Sequence, residues 1–346
     1  MSFARASTRV AARVASMGSM ARTIPIPTAQ GNLGARRLVQ GVGPSEVLRR
    51  PAYRVVQPEV RIGAVQYSSQ AQRMWEALRD HCFAQQVRVD FVLFTSYEAQ
   101  LEALLSDAID VAWNGPLAHV RTHARTYQSA IPIAMRDVDR DRKSCFAVRA
   151  DSNIESINDL PGCKLALGSV DSPLAYVLPL HYLESQGMPM ASLDVIRFDR
   201  DIGKHGDTGA GEAEVLKALL EGRAEAGCLS HSLYTAAVTS GMINNGSSPE
   251  IKLLDQAPPP ADHFTFDTLN SSEAVENFSQ ALFCMSSDDP ATQPTLQLFG
   301  IAEKWEKPRE SGYEDLKKAL REEGNTPYPP QLHESFNHPF KSLVLA

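Results

Sequence analysis

From Val60 onward, short apolar strands alternate with amphipathic helices, and this alternation constrains the fold more than any other feature. VRIGAV, which begins at Val60, has the pattern of a buried strand, and Ala71–Gln86 has the apolar period of a helix. The strand series continues with VDFVLF, IDVAWN, IPIAM and CFAVRA in the first half, and with KLALG, LDVIRF, AEAGCL and IKLL in the second. Such alternation predicts α/β architecture, with mostly parallel sheets covered by helices and ligands bound beyond the carboxyl ends of strands.

The two halves of this region share a pattern. EAQLEALLSDAIDVAWNG in the first half and EAEVLKALLEGRAEAGCL in the second both place a leucine-rich helix before a strand that ends where a ligand could bind. At 346 residues the chain is long enough for two domains or two lobes. We therefore predict two similar α/β lobes with a cleft between them.

The N-terminus has a different composition from the rest. Residues 1–50 contain eight Arg and one acid, Glu46, so the remainder holds a net charge of −14 against −7 for the whole chain. Arg5, Arg9 and Arg13 follow one helical stripe. A basic amphipathic helix without acids is typical of mitochondrial import signals. We predict a transit peptide within residues 1–50 and a mitochondrial, matrix location. Residues 1–58 would form the targeting segment and linker, and the alternative is a disordered basic tail or a misassigned start.

Charge and motifs exclude several functions. The acidic body argues against nucleic acid as a partner, because phosphate backbones attract basic surfaces. No apolar run reaches the roughly 20 residues that a membrane helix needs, so no membrane insertion is predicted. The five cysteines are scattered without a CxxC pair, and there is no P-loop, GxSxG, HExxH or dinucleotide fingerprint. We therefore predict no metal site, no cofactor and no enzymatic activity.

Several motifs in order resemble one known family. EAQLEALLSDAIDVAWNGPLAHV looks like the first-lobe signature of the phosphate/phosphonate-binding proteins of bacterial ABC transporters. DSNIESINDLPGCKLALGSVDSPLAYVLP is similar to their second-lobe entry, and EAEVLKALLEGRAEAG to a later helix–strand unit. APPPADHFTF resembles their Pro-Pro-Phe-x-His crossover, although Ala261 replaces Phe. KHGDTG and FGIAEKWEKPRESGYEDLKKAL are similar to a bacterial branch of the family.

This resemblance implies a two-lobed, type II periplasmic-binding-protein fold. Residues 59–147 would form lobe 1 and residues 148–255 lobe 2. Residues 256–346 would return to lobe 1 and supply C-terminal helices and a tail. Two hinge crossings would let the lobes close over a small oxyanion.

Ser169 and Ser172 are the first candidate ligand-binding residues. They lie in GSVDSPLAYVLP, where a strand ends and a helix begins, and the free amides of a helix N-terminus favour an anion. The resemblance carries Ser172 onto the start of a hydroxyl cluster that grips phosphonate oxygens. This sequence departs from it, since Pro173 and Leu174 replace hydroxyl positions and Asp171 adds a repelling charge. Alternatively, Ser172 is simply the helix N-cap, with Pro173 at the first helical position.

The other candidates lie at further strand ends. Tyr97 matches the family's first-lobe tyrosine, and Asn114 ends the strand IDVAWN. His205, Asp207 and Thr208 belong to a glycine-flanked polar loop that follows LDVIRF. Polar loops at strand ends commonly line sites, but a core tyrosine and a solvated turn remain the alternatives.

The function predicted is non-enzymatic binding of a small phosphate- or phosphonate-like anion in the cleft between the lobes. One alternative is an accessory subunit of a mitochondrial complex with a vestigial cleft, since an organelle offers no obvious permease partner. A less favoured alternative is an enzyme on the same fold, such as the thiamine-pyrimidine synthases. That family carries a cysteine-rich iron motif, which this sequence lacks.

Overall fold

The computed structural model describes residues 60–243 and 251–323. The predicted targeting segment and linker at residues 1–58, and the Pro-rich tail that follows residue 323, lie outside these ranges. Each of the nine strands predicted from apolar runs is present in the described part of the chain. No helix there is long and apolar enough to cross a membrane.

The first lobe is built on a six-stranded sheet. Its strands are β1 (Val60–Val65), β2 (Val89–Phe94), β3 (Val111–Asn114), β4 (Ile131–Arg136), β10 (Thr265–Thr268) and β11 (Trp305–Glu306), in the order β11-β4-β10-β3-β1-β2. The helices that link or cover them are α1 (Ala71–Ala84), α2 (Tyr97–Leu105), α3 (Pro116–Arg125), α7 (Glu273–Phe283) and α8 (Gln293–Leu298). Two α/β crossovers thus place the ends of β1 and β3 side by side.

The second lobe is built on a five-stranded sheet. Its strands are β5 (Ser144–Arg149), β6 (Lys164–Leu167), β7 (Asp194–Arg197), β8 (Ala226–Ser230) and β9 (Ile251–Leu253), in the order β7-β6-β8-β5-β9. A π-helical turn (Pro173–Val177) leads into α4 (Leu178–Ser185), and the other helices are α5 (Ala210–Leu220), α6 (His231–Thr239) and the C-terminal α9 (Glu314–Glu323). Helix α9 adds Leu316 and Ala319 to the core of this lobe.

The prediction of mostly parallel sheets was wrong, because both sheets are mixed. In the first sheet only β1–β2 and β1–β3 pair in parallel, and β10 and β11 pair antiparallel to their neighbours. In the second, β6–β7 and β6–β8 are parallel, whereas β5 is antiparallel to β8 and β9. Helical crossovers return a strand in the same direction, but β5 and β10 arrive from the other lobe without one.

An aromatic cluster forms the core of the first lobe. Trp113 of β3 stacks on Phe264 with 5.1 Å between ring centroids. Trp75 of α1 meets Phe266 and Phe299 edge-on at 6.0 and 5.3 Å. Rings of this size bury large apolar areas and favour edge-on contacts, so they hold β3 and β10 rigidly against α1.

The chain passes between the sheets twice, and the two crossing segments are joined to each other. Arg142 and Ala261 exchange both backbone hydrogen bonds, at 2.8 and 3.0 Å. The first crossing occupies residues 137–143, because all of β5 belongs to the second sheet. It therefore precedes the predicted lobe boundary at residues 147–148, which falls inside that strand.

A carboxylate–guanidinium cluster fixes this hinge. Asp262 is fully buried and accepts from the amide of Asp141 at 3.0 Å. Both Nε and Nη2 of Arg309 donate to its carboxylate at 2.7 Å, and Nη2 also reaches Asp141. The amide of Asp262 donates to the carbonyl of Gly312 at 2.8 Å. Three chain segments are thus bound at one point.

Candidate functional site

The polar loop at residues 199–209 extends from the second lobe onto the first. Ser96 caps α2 by accepting from the amide of Ala99 at 3.2 Å, which places Tyr97 in the first helical turn. The amide of Tyr97 donates to the carbonyl of Gly203 at 3.0 Å, and its hydroxyl donates to Asp207. The ring of His205 stacks on Tyr97 at 4.5 Å. This loop of the second lobe therefore contacts Tyr97 of the first lobe through two hydrogen bonds and one ring stack.

Gly206 and Gly115 allow this close approach. Gly206 has φ +77°, a conformation that side chains disfavour, and a Cβ there would lie 2.8 Å from Cβ of Ser172. A Cβ on Gly115 would meet the hydroxyl of Tyr97 and the carboxylate of Asp207 at 3.1 Å. Glycine at these positions therefore permits the loop to reach both lobes.

A cavity of about 240 Å³ lies where the lobes and the crossing segments meet. The first lobe contributes Tyr67 and Arg136, and the crossing segments contribute Arg142 and His263. The second lobe supplies the remaining polar lining residues, which are Ser172, His205, Asp207, Glu212 and Ser230. A volume of this size suits a small molecule, and its lining is rich in hydrogen-bonding groups.

Three buried polar atoms of lining residues have no hydrogen-bond partner in the described structure. They are Nδ1 of His205, Oδ1 of Asp207 and Nδ1 of His263. Leaving a buried polar group unpaired costs about 1–3 kcal/mol, so native proteins rarely do so without a reason. A bound polar ligand would supply the missing partners.

Burial disfavours the charged forms of the two acidic residues of the cavity. Burial raises the pKa of Asp207 well above its usual range, and the hydrogen bond from Tyr97 opposes this only in part. Burial also raises the pKa of Glu212, although Ser230 donates to it from both its amide and its hydroxyl. Burial therefore opposes the negative charge that these two carboxyl groups would bring to the cavity.

Two guanidinium groups and the imidazole of His263 line the cavity. Burial, helped by the charges of Arg142 and Arg136, lowers the pKa of His263 well below its usual range, so its imidazole is neutral. Arg136 is bound by the carboxylate of Asp139, with Nη2 to Oδ1 at 2.8 Å. Arg142 donates from Nη2 to the hydroxyl of Ser232 at 2.9 Å, and no carboxylate of the described residues lies within ion-pair distance of it. Its guanidinium charge is available to a ligand.

Three predicted site residues line this cavity, namely Ser172, His205 and Asp207. Ser172 also caps its helix by accepting from the amide of Ala175 at 3.3 Å, so the predicted capping role is observed alongside the position in the cavity. Tyr97 contacts the cavity wall indirectly through Asp207.

The structure does not bring Asn114, Ser169 or Thr208 to the cavity. Asn114 is buried at the end of β3, and its side-chain amide donates to the carboxylate of Asp267 at 2.7 Å. The hydroxyl of Ser169 donates to Asp171, and that of Thr208 accepts from the amide of Ala210 at 3.2 Å. Local hydrogen bonds engage each of them, which a position at a strand end could not reveal.

Sequence reasoning missed two arginines and one histidine of the lining. Arg136, Arg142 and His263 lie at the end of β4 and in the two crossing segments. The crossing motif APPPADHF was recognised, yet its histidine was not singled out as a site residue. The available signal was the crossing motif itself, because a segment that passes between two lobes borders the cleft between them.

Two α/β lobes, two crossing segments and a polar cavity between them define a two-lobed binding protein of the periplasmic type. The profile of the family described as ABC transporter, phosphonate, periplasmic substrate-binding protein matches residues 62–313, and the chain belongs to this family.

Individual relatives agree with this assignment. The probable ABC transporter phosphite binding protein PhnD1 of Prochlorococcus marinus (strain MIT 9301) is 28% identical over 108 residues, which cover 30% of this chain and 36% of that protein. The chain thus matches about a third of that relative's length. The solved structure of PhnD1 from the same organism, in complex with methylphosphonate, has a TM-score of 0.59 and 18% identity over 77% of this chain and 98% of that one.

A second solved structure shows the same fold. A binding protein component of an ABC phosphonate transporter from Pseudomonas aeruginosa has a TM-score of 0.55 and 15% identity over 82% of this chain and 91% of that one. At these identities the structural likeness concerns the fold alone.

Proposed function

We propose that this protein is a non-enzymatic binder of a small oxyanion of the phosphonate class, held in the cavity between its lobes. The observation that carries the proposal is the cavity itself, which combines the guanidinium of Arg142, for which no ion pair is seen among the described residues, with three buried polar atoms that lack hydrogen-bond partners. The solved complex of PhnD1 with methylphosphonate supports the choice of ligand class.

The groups of the cavity suit an anion with several oxygens. Arg142 can donate two parallel hydrogen bonds, and charge-assisted bonds of this kind are stronger than neutral ones. Burial raises the pKa of Asp207 well above its usual range, and in its protonated form the carboxyl has an O–H to donate. The hydroxyl of Ser172 and the neutral imidazole of His263 can complete the shell. Each oxygen of a tetrahedral anion would thus meet a donor.

A panel of small anions tests this proposal. Methylphosphonate, inorganic phosphate and methanesulfonate should each be titrated against the full chain while the melting temperature is recorded. A ligand that binds only the folded state increases the free energy of unfolding, by about 2.7 kcal/mol at a hundredfold excess over Kd, and so raises the melting temperature. We expect methylphosphonate to raise it, whereas no rise with any oxyanion would contradict the proposal.

Because Asp207 lines the cavity and has a raised pKa, its ionisation should make the affinity for an anion depend on pH. As pH rises through the raised pKa of Asp207, the carboxyl ionises and repels the anion, so affinity should fall by at least about tenfold. Methanesulfonate keeps a constant charge and is the suitable probe in calorimetry. Asp207→Asn keeps a neutral donor and should bind with a much flatter pH profile. Parallel profiles for the two proteins would show that Asp207 does not govern the charge of the cavity.

We further propose that the protein acts in mitochondria, on the basis of the Arg-rich, acid-poor segment of residues 1–50. This segment fused to a fluorescent protein should enter mitochondria. Replacement of Arg5, Arg9 and Arg13 by Glu should abolish entry, because import reads the positive face of the helix. Cytosolic fluorescence of the intact fusion would contradict the proposal. A stable host complex, the alternative role, would be found by co-purification with the full chain.

A further inference from the structure

Two histidines and an aspartate meet in the first lobe, away from the cavity lining. His119 and His123 lie one turn apart on α3, and Asp267 lies on β10. One ligating atom from each side chain lies within 4.8 Å of the other two, and all three residues are buried. Residues four apart on a helix share one face, so both rings can turn toward the same point.

His123 has a coordinating nitrogen without a partner. Its Nε2 is buried and accepts or donates no hydrogen bond within the described part of the chain, while the residue is only 5% exposed. A neutral, desolvated imidazole nitrogen is the form of histidine that binds metal ions.

The other two side chains are already oriented. Nδ1 of His119 lies 3.0 Å from both carboxylate oxygens of Asp267, and the amide of Asn114 donates to that carboxylate at 2.7 Å. The ring of Tyr313 packs against His119 with 4.1 Å between centroids. Surrounding contacts of this kind hold metal ligands in position in known sites.

We propose that His119, His123 and Asp267 form a binding site for a divalent transition metal ion, with Zn²⁺ as the preferred ion. Two imidazoles and one carboxylate match the ligand set of zinc sites with three protein ligands, in which water takes the fourth position. Mg²⁺ and Ca²⁺ prefer oxygen ligands and are disfavoured here. Metal–ligand bonds are about 2.0–2.2 Å, so two ligating atoms as far apart as 4.8 Å must move closer together when the ion binds.

The ion would connect α3 to β10, the strand that follows the second crossing segment. One lysine to note is Lys317 of α9, whose positive charge would repel a metal ion. Its ammonium is bonded to the carboxylate of Glu314 at 3.0 Å, which offsets that charge. The site does not depend on the anion cavity, since none of its three residues lines that cavity.

Titration of the metal-free full chain with Zn²⁺ tests this inference, with stoichiometry and affinity measured by competition against a colorimetric chelator. We expect one ion per chain, and Co²⁺ in its place should give the intense visible bands of a tetrahedral site. His123→Phe keeps an aromatic ring against His119, and it costs no hydrogen bond at Nε2 because that atom has no partner in the described structure. It should lower Zn²⁺ affinity at least about a hundredfold while the metal-free melting temperature stays near that of the wild type.

His231→Phe is the matched control, because His231 is an exposed histidine of α6 outside the cluster. It should leave Zn²⁺ binding unchanged. Zn²⁺ should also raise the melting temperature of the wild type and of this control, but not that of His123→Phe. Equal Zn²⁺ affinity in wild type and His123→Phe would overturn the inference, as would the absence of any binding by the wild type.

Discussion

Arg142→Gln is expected to weaken methylphosphonate binding by about a hundredfold. Its guanidinium lines the cavity and donates to the hydroxyl of Ser232, and it forms no ion pair with a carboxylate of the described residues. A charge-assisted hydrogen bond contributes about 1.5–3 kcal/mol, and a guanidinium that donates two can account for a loss of this size. Calorimetric titration of the purified variant would measure the loss directly.

Arg140→Gln is the control for this experiment. Arg140 belongs to the same crossing segment, but its guanidinium bonds to Glu306 and to the carbonyl of Lys307. It is not among the residues that line the cavity. We expect Arg140→Gln to bind methylphosphonate like the wild type. If both variants lose affinity equally, the effect comes from the fold of the crossing segment and not from a contact with the ligand.

Asp262→Ala should lower the free energy of unfolding by about 2–3 kcal/mol. The change leaves the guanidinium of Arg309 and the amide of Asp141 without their shared acceptor. Breaking a fully buried pair costs about 3–5 kcal/mol, and we take a lower value because the side chain of Arg309 is 37% exposed. Urea denaturation followed by circular dichroism measures the difference.

The chain offers a matched pair for comparison. Asp151 binds Nε and Nη2 of Arg149 in the same two-point geometry, at 3.0 and 2.6 Å, but on the surface. Asp151→Ala should leave the stability almost unchanged, because water and salt screen exposed pairs. If the two variants destabilise the protein equally, the hinge cluster contributes no more than a surface pair, and our account of the hinge is wrong.

Much of the fold could be predicted because its elements are defined locally. The apolar run VDFVLF and the leucine period of α2 each specify their element with a few neighbouring residues, and the structure has them at Val89–Phe94 and Tyr97–Leu105. Strand direction was not predictable in this way. Whether β5 runs parallel to β8 depends on where the chain enters the sheet, and no local pattern records that.

The same distinction between local and long-range information applies to the candidate site. His205 and Asp207 were found because a glycine-rich polar loop at a strand end is visible in the sequence. Arg142 and His263 were missed because they become neighbours of the cavity only when two distant crossing segments pair. The contact between His119 and Asp267 could not be predicted for the same reason, since 148 residues separate them in the sequence.

The central claim is that a small oxyanion binds in the cavity between the lobes and the crossing segments. A crystal structure of the full chain grown with methylphosphonate tests it most directly. We predict that the phosphonate oxygens lie within hydrogen-bond distance of the Arg142 guanidinium and the Ser172 hydroxyl, and that they supply partners for the unpaired atoms of Asp207 and His263. An anion found elsewhere, or a cavity occupied only by water at saturating methylphosphonate, would contradict the account.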